Sequence, residues 1–122
     1  MYNKVFLIGH LARNPELRYT PSGIPVTTFA IAVNRIQKKG SNERDVDFIN
    51  IVAWRRLAEV CNEYLKKGKL IAIEGRLQIR QYKDKSGRER NFTEVVAEDM
   101  RMLGKKSDEQ VVKEKIEDDI PF

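Results

Sequence analysis

Apolar and polar residues alternate along several stretches of the chain, and a period of two is typical of β-strands. In residues 26–34, for example, Phe29, Ile31 and Val33 share one face. Residues 5–11 are apolar on both faces, which predicts a strand buried within a closed sheet or at a contact between subunits, and Gly9 within it suggests a bulge or a close backbone approach. The predicted strands are residues 5–11, 26–34, 45–54, 70–82 and 91–102.

A different period follows the third strand. Apolar residues recur at i, i+3, i+4, i+7 and i+8, which is one face of a helix. We therefore predict a helix over residues 55–67, with Gly68 as its C-cap after two lysines. Cys61 lies on the apolar face and is expected to be a small buried core residue. The apolar positions are Leu57, Val60, Cys61, Tyr64 and Leu65.

The third strand has two unlike faces. One is apolar, and the other combines Phe48 and Trp54 with a partly polar surface at Asn50 and Val52. Two interpretations are open for the rings, since most phenylalanines and many tryptophans belong to the core. Alternatively, the strand presents two flat aromatic surfaces to a ligand. The apolar face is formed by Ile49, Ile51 and Ala53.

The order of elements predicts the fold class, which is all-β with one helix. Three strands, a helix and two further strands match the OB-fold, a five-stranded, partly open barrel whose ligands cross the middle strands. We assign this domain to residues 1–104. Two long basic hairpins join its strands, one at residues 35–44 and the other around residues 83–88.

The charge of the chain is unevenly distributed. The whole sequence carries a formal net charge of +5, and residues 105–122 contribute four lysines and six acids, a net of −2. Subtracting the second value from the first leaves +7 on residues 1–104. A basic body indicates a polyanionic partner. The tail, residues 105–122, has few apolar side chains before its tip, and we expect it to be disordered.

Aromatic and basic residues coincide on one predicted surface. Phe48 and Trp54 lie on the outer face of the third strand, while Arg80 and Tyr82 end the polar face of the fourth. Rings stack on unpaired bases and cations follow the phosphates, so this combination is typical of a surface that binds single-stranded nucleic acid.

Several chemistries lack the residues they need. The sequence has one cysteine and one histidine, which excludes an internal disulfide, a cysteine cluster for a metal and a histidine-based triad. A nuclease or deaminase needs clustered acids or metal ligands, and the acids Glu43, Asp45 and Asp47 lie at the end of a loop. We predict no enzyme activity, cofactor or metal. The first residues lack the layout of a signal peptide, so we expect a cytoplasmic protein.

Short motifs in a fixed order give the chain a family resemblance. They include NPELRYTPSG at residues 14–23, YLKKG at residues 64–68, EGRL at residues 74–77, TEVV at residues 93–96 and DDIPF at residues 118–122. With these motifs the sequence resembles the bacterial single-stranded DNA-binding protein family. An RNA-binding module of the cold-shock type would instead cluster its aromatic residues in two short motifs on adjacent strands.

The resemblance implies roles for particular residues. Phe48, Trp54 and Tyr82 match base-stacking rings, whereas Ile36 and Gln37 occupy the place where a fourth ring is expected. The implied function is sequence-independent binding of single-stranded DNA in replication, recombination and repair by a homotetramer of OB-folds. Basic positions on the implied DNA path are Arg18, Arg56, Lys66, Lys67 and Arg80, with further loop contacts expected from Arg35, Lys38, Arg76 and Lys83. The implied docking peptide for partner proteins is Asp118, Asp119, Ile120, Pro121 and Phe122.

Overall fold

The computed structural model describes residues 1–36 and 45–104. Residues 37–44, which include Gln37 and Lys38, and the predicted tail, residues 105–122, lie outside the described residues. The elements are β1 (Val5–Leu11), β2 (Glu16–Tyr19), β3 (Pro25–Asn34), β4 (Val46–Trp54), α1 (Arg55–Tyr64), β5 (Leu70–Lys83) and β6 (Glu89–Leu103).

Five of the strands form a closed ring. The sheet order is β1-β5-β6-β4-β3, and β1 also pairs with β3, which brings the two ends of the sheet together. The β4–β6 pairing is parallel and the other pairings of the ring are antiparallel. The short strand β2 extends the sheet beyond β3. Within the described residues this is a mostly β structure with one helix, consistent with the OB-fold, and the predicted fold class is confirmed.

The inward faces of the strands form the core. Phe29, Ile31 and Ile51 have no more than 1% of their surface exposed, as the alternation in the sequence predicts. Helix α1 packs Ala58 and Cys61 against the same cluster, and the buried Thr27 hydroxyl donates a hydrogen bond of 2.7 Å to the Ala58 carbonyl. The prediction that Cys61 is a core residue is therefore confirmed, and burial raises the pKa of its thiol to about 12.

Gly9 allows β1 to join the two edges of the sheet. Residues 5–10 pair with β5, while His10 and Leu11 pair with β3. A side chain at Gly9 would have its Cβ only 2.4 Å from the Ala32 carbonyl oxygen. The close backbone approach expected at this glycine is confirmed, because β3 crosses β1 at a distance that leaves no room for a larger residue.

The end of α1 differs from the sequence prediction. The helix ends at Tyr64 and not at Lys67, because Leu65 leaves the helix in an extended conformation and is buried in the core. Gly68 therefore does not cap the helix. It lies in the turn before β5 with a left-handed φ of 92°, and its N–H donates a hydrogen bond to the Leu11 carbonyl of β1.

The β5–β6 hairpin continues beyond the ring. Strand β5 pairs with β1 only as far as Gly75, and β6 pairs with β4 only at Val95 and Val96. Beyond these positions the two arms pair with each other alone. Leu77 and Ile79 continue the apolar alternation of the core residues, yet both are exposed because no other element of the described residues covers this part of the hairpin.

Candidate nucleic-acid interface

The three aromatic residues singled out in the sequence are exposed. Phe48 is 68% exposed, Trp54 44% and Tyr82 51%, so the alternative that they are core residues is excluded. Val52, which the alternation grouped with the exposed face of β4, is buried. It lies between Phe48 and Trp54 on that strand and gives the surface between the rings an apolar floor.

Neighbouring strands determine how the rings of β4 are presented. The cross-strand partner of Phe48 is Ala32, whose small side chain leaves the phenyl ring uncovered. Trp54 pairs with Val26, and Val26 pairs with Arg18 on β2, so these three residues form a row across the sheet. With about 4.8 Å between strands, Arg18 lies about 10 Å from Trp54. Along β4 the two rings are about 20 Å apart.

A strained residue ends β4 directly after Trp54. Arg55 has φ of 59°, a left-handed conformation that residues other than glycine adopt uncommonly. The chain turns sharply there from strand to helix, which leaves Trp54 at the end of the sheet. Arg55 and Arg56 are exposed in the first turn of α1, and Arg56 makes only a long ion pair of 3.7 Å with Glu59. Because exposed pairs of this kind are weak, the Arg56 guanidinium is available to a phosphate.

The β5–β6 hairpin carries the third ring and several cations. Arg76, Arg80 and Tyr82 alternate along β5, so their side chains share one face. Arg76 is exposed, as is Lys83, which follows Tyr82 at the end of β5, and neither makes an ion pair among the described residues. Arg80, in contrast, is held by the buried carboxylate of Glu94, with its Nε 2.8 Å from Glu94 Oε1.

Of four other basic residues predicted to contact DNA, two are in ion pairs with carboxylates and two are not. Lys66 and Lys67 are exposed in the turn after α1, where Asn14 Oδ1 accepts a hydrogen bond of 2.9 Å from the Lys67 backbone N–H. Neither lysine has an ion-pair partner in the described ranges. Arg18 forms an ion pair with Glu16. Arg35 pairs with Asp47 at 2.8 Å, and hydrogen bonding from Arg35 lowers the pKa of the Asp47 carboxyl.

The surface brings together ring faces and cations, and it offers no grouping suited to metal chemistry. In residues 1–36 and 45–104, no three His, Cys, Asp or Glu side chains lie close enough together to hold a metal ion. No helix in these ranges has the length and apolar composition needed to cross a membrane. Flat rings with exposed lysines and arginines around them can stack on bases and neutralise phosphates.

The sequence pattern of the single-strand binding protein family matches residues 2–103. The chain belongs to this family. Its match begins before β1 and ends at the last residue of β6, so it includes every strand of the ring.

Curated members of related sequence carry consistent names. A single-stranded DNA-binding protein of Caldanaerobacter subterraneus subsp. tengcongensis is 53% identical over 107 residues, which are 88% of this chain and 71% of that protein. A single-stranded DNA-binding protein of Streptococcus pneumoniae is 49% identical, with 88% and 69% covered. Single-stranded DNA-binding protein A of Bacillus subtilis is 50% identical, with 88% and 62% covered.

Two residues of the site in this member of the single-strand binding protein family were missed from the sequence. Phe92 is the cross-strand partner of Arg80, and Glu94 is the partner of Gln78. Both belong to β6, which the sequence identified only as a returning strand and, at Glu94, as part of the TEVV motif; neither residue was assigned to the site. The signal that could have identified them is the hairpin register, because counting outward from the turn at Asp84 aligns Arg80 with Phe92.

Proposed function

We propose that this protein binds single-stranded DNA with little sequence preference. The observation that carries the proposal is the exposure of Phe48 and Trp54 on β4 and of Tyr82 on the hairpin. The family of this chain and its curated relatives are named for single-strand binding. Each ring offers a flat face to a base, and every base has such a face, so stacking contributes roughly 1–3 kcal/mol per base without reading sequence.

Phosphate contacts supply the electrostatic part of the affinity. We assign them to Arg18, Arg56, Lys66 and Lys67, with loop contacts from Arg35, Lys38, Arg76 and Lys83. Binding releases counterions from the contacted phosphates, so log affinity falls by about 0.7 per contact for each unit of log salt. The ion pairs of Arg18 and Arg35 are exposed, and a phosphate can replace the carboxylate in each of them.

The test uses Trp54, which is the single tryptophan of the sequence. Its fluorescence is measured while an unpaired oligonucleotide or a duplex of equal length is added at several salt concentrations. We expect quenching by the unpaired strand alone, with a midpoint that weakens as salt rises. Equal quenching by duplex, or a binding curve that salt does not change, would contradict the proposal.

The same proposal includes a homotetramer, supported by two separate apolar surfaces. The outward face of β1 exposes Phe6 and Ile8, and the hairpin exposes Leu77 and Ile79. A tetramer with D2 symmetry needs two different kinds of self-complementary contact. The β1 surface and the hairpin surface are candidates for one contact each.

The cellular role is proposed on the same grounds. A non-catalytic protein that coats unpaired DNA protects intermediates of replication, recombination and repair, and it acts in the cytoplasm, where the bacterial chromosome lies. We assign recruitment of the partner proteins to the acidic and apolar tip of the tail: Asp118, Asp119, Ile120, Pro121 and Phe122. Its acids suit a lysine or arginine of a partner, and its apolar residues suit a pocket.

A further inference from the structure

The guanidinium of Arg80 is oriented by a buried carboxylate. Arg80 Nε lies 2.8 Å from Glu94 Oε1, and Arg80 Nη2 lies 3.4 Å from Glu94 Oε2. Gln78 Nε2 donates a further hydrogen bond of 3.0 Å to Glu94 Oε1. The Glu94 side chain is only 6% exposed, whereas that of Arg80 is 59% exposed. A carboxylate buried to this extent requires its partner, so Arg80 remains bound to Glu94.

An aromatic ring supports the same guanidinium from one side. The ring of Phe92, the cross-strand partner of Arg80, has its centroid 5.1 Å from the guanidinium carbon. This is a cation–π distance. Phe92 thus lies against one side of the guanidinium, while more than half of the Arg80 side chain is exposed to solvent.

These contacts change what Arg80 can offer to DNA. Its charge is neutralised by Glu94 at close range, and two of its nitrogens are directed at that carboxylate. A phosphate therefore gains little from it. Part of the Arg80 side chain remains exposed, however, and nucleic-acid bases stack on arginine planes as they do on aromatic rings.

We propose that Arg80, backed by Phe92 and oriented by Glu94 and Gln78, is a stacking platform for an unpaired base. This inference rests on the proposed binding of single-stranded DNA. It gives Arg80 a different role from the phosphate contact that the family resemblance implies. It also supplies a fourth stacking surface in a chain whose sequence shows Ile36 and Gln37 where a fourth ring is expected.

The platform lies among the exposed rings. Tyr82 follows Arg80 by two residues and shares its face of β5. Strand β6 lies between β5 and β4 in the sheet. Val52 of β4 pairs with Val96 of the parallel strand β6. Phe48 lies four residues before Val52, and Phe92 lies four residues before Val96. A DNA strand that passes from the outer face of β4 to Tyr82 on β5 therefore has to cross β6, the strand from which Phe92 supports Arg80.

The test compares Arg80→Lys with the wild type on two oligonucleotides of equal length, one of thymidines and one abasic. Lysine keeps the positive charge and can still pair with Glu94, but it lacks the planar guanidinium on which a base could stack. We expect Arg80→Lys to lose about fivefold to 100-fold in affinity for the thymidine strand. Its affinity for the abasic strand and its salt dependence should equal those of the wild type.

Two further variants make the result specific. Phe92→Leu keeps an apolar residue but removes the supporting ring, and it should show the same loss on thymidines alone. Arg101→Lys is the matched control, since Arg101 is an exposed arginine elsewhere on β6 that is ion-paired with Asp99 and has no cation–π contact among the described residues. It should bind both strands as the wild type does. Thermal melting of each variant verifies that the fold is retained.

The outcomes separate this inference from the proposed function. Equal losses of Arg80→Lys on both strands, or no loss on either, would overturn the platform while wild-type binding to thymidines stands. A wild type that binds neither strand would overturn the proposed function itself. If Arg80→Lys melts early, Phe92→Leu takes its place: a loss on thymidines alone supports the platform, and equal losses on both strands or no loss on either overturn it.

Discussion

At the residue scale, exposure separates the rings that we propose to stack on bases from the rings of the core. Phe48, Trp54 and Tyr82 leave about half of their surface or more in solvent, while Phe29 is fully buried. We expect Phe48→Ala, Trp54→Ala and Tyr82→Ala each to weaken binding of single-stranded DNA by roughly 1–3 kcal/mol. Anisotropy of a labelled oligonucleotide measures the affinity.

Phe29→Ala is the control for these ring variants. Loss of a buried phenyl group costs about 3–5 kcal/mol of folding free energy, so this variant should melt at a clearly lower temperature. The three surface variants should melt close to the wild type. If Phe48→Ala or Trp54→Ala were as destabilised as Phe29→Ala, the rings would be structural and their assignment as stacking residues would be wrong.

At the element scale, the tip of the β5–β6 hairpin depends on one carboxylate. Asp84 accepts hydrogen bonds from the Ser86 hydroxyl, from Arg90 Nε and from the backbone N–H groups of Ser86 and Arg88. The hydrogen bond from the Ser86 side chain, followed by that from Arg90, lowers the pKa of the Asp84 carboxyl from 3.8 to about 2. The turn that presents Tyr82 and Lys83 is therefore ordered by an ionised group.

This lowered pKa gives the hairpin tip a defined acid dependence. Since the folded pKa lies below the usual value, the stabilisation is complete above about pH 4 and is lost as pH falls towards about 2. We expect the protection of the Gly87 amide, measured against the exchange rate of an unstructured peptide at the same pH, to decrease over that range in the wild type. Asp84→Asn should show weaker Gly87 protection at neutral pH and no such acid step.

Asp45→Asn removes the same charge outside the turn and serves as the control for the exchange experiment. It should leave Gly87 as protected as in the wild type. Gly87 is a direct reporter because its N–H donates to the Asp84 carbonyl at 3.0 Å. Unchanged protection in Asp84→Asn would mean that the backbone alone holds the turn.

At the scale of the whole molecule, the apolar residues on two outer surfaces predict assembly. Analytical ultracentrifugation at micromolar concentration should give a tetramer. Phe6→Asp should disrupt one contact and Ile79→Asp the other, so each variant should sediment as a dimer. Ser22→Asp, an exposed turn position away from both surfaces, should remain tetrameric. A stable wild-type monomer would contradict the assembly.

The tail is also tested on the whole molecule. Deleting Ile120, Pro121 and Phe122 should leave affinity for single-stranded DNA unchanged, or slightly raised if it impairs the acidic tip that we propose as a competitor of DNA for the basic surface. Recovery of partner enzymes from a bacterial extract should be abolished. Deleting residues 110–112 removes as many residues, two of them apolar, and keeps the tip, so it should still recover partners. Equal recovery by both deletions would show that the tip recruits nothing.

The local periodicity of the sequence determined where most of the strands lie and which residues of each strand face the core. Alternation located β3, β4, β5 and β6 within a few residues, because a strand in a closed ring must place every second side chain in the core, and an apolar run located β1. It also separated Ile51 and Ala53 from Phe48 and Trp54 on β4, and it identified Gly9 as a close approach.

Tertiary structure decided what periodicity could not. Burial of Leu65 ended α1 three residues early, and neighbouring strands buried Val52 on the otherwise exposed face of β4. The hairpin leaves the ring after Gly75, which exposes Leu77 and Ile79 although their spacing matches the core. Only the register of β5 with β6 brings Arg80 to Phe92 and Glu94. Alternation assigns a residue to a face, but whether that face is covered, and by what, depends on residues distant in sequence.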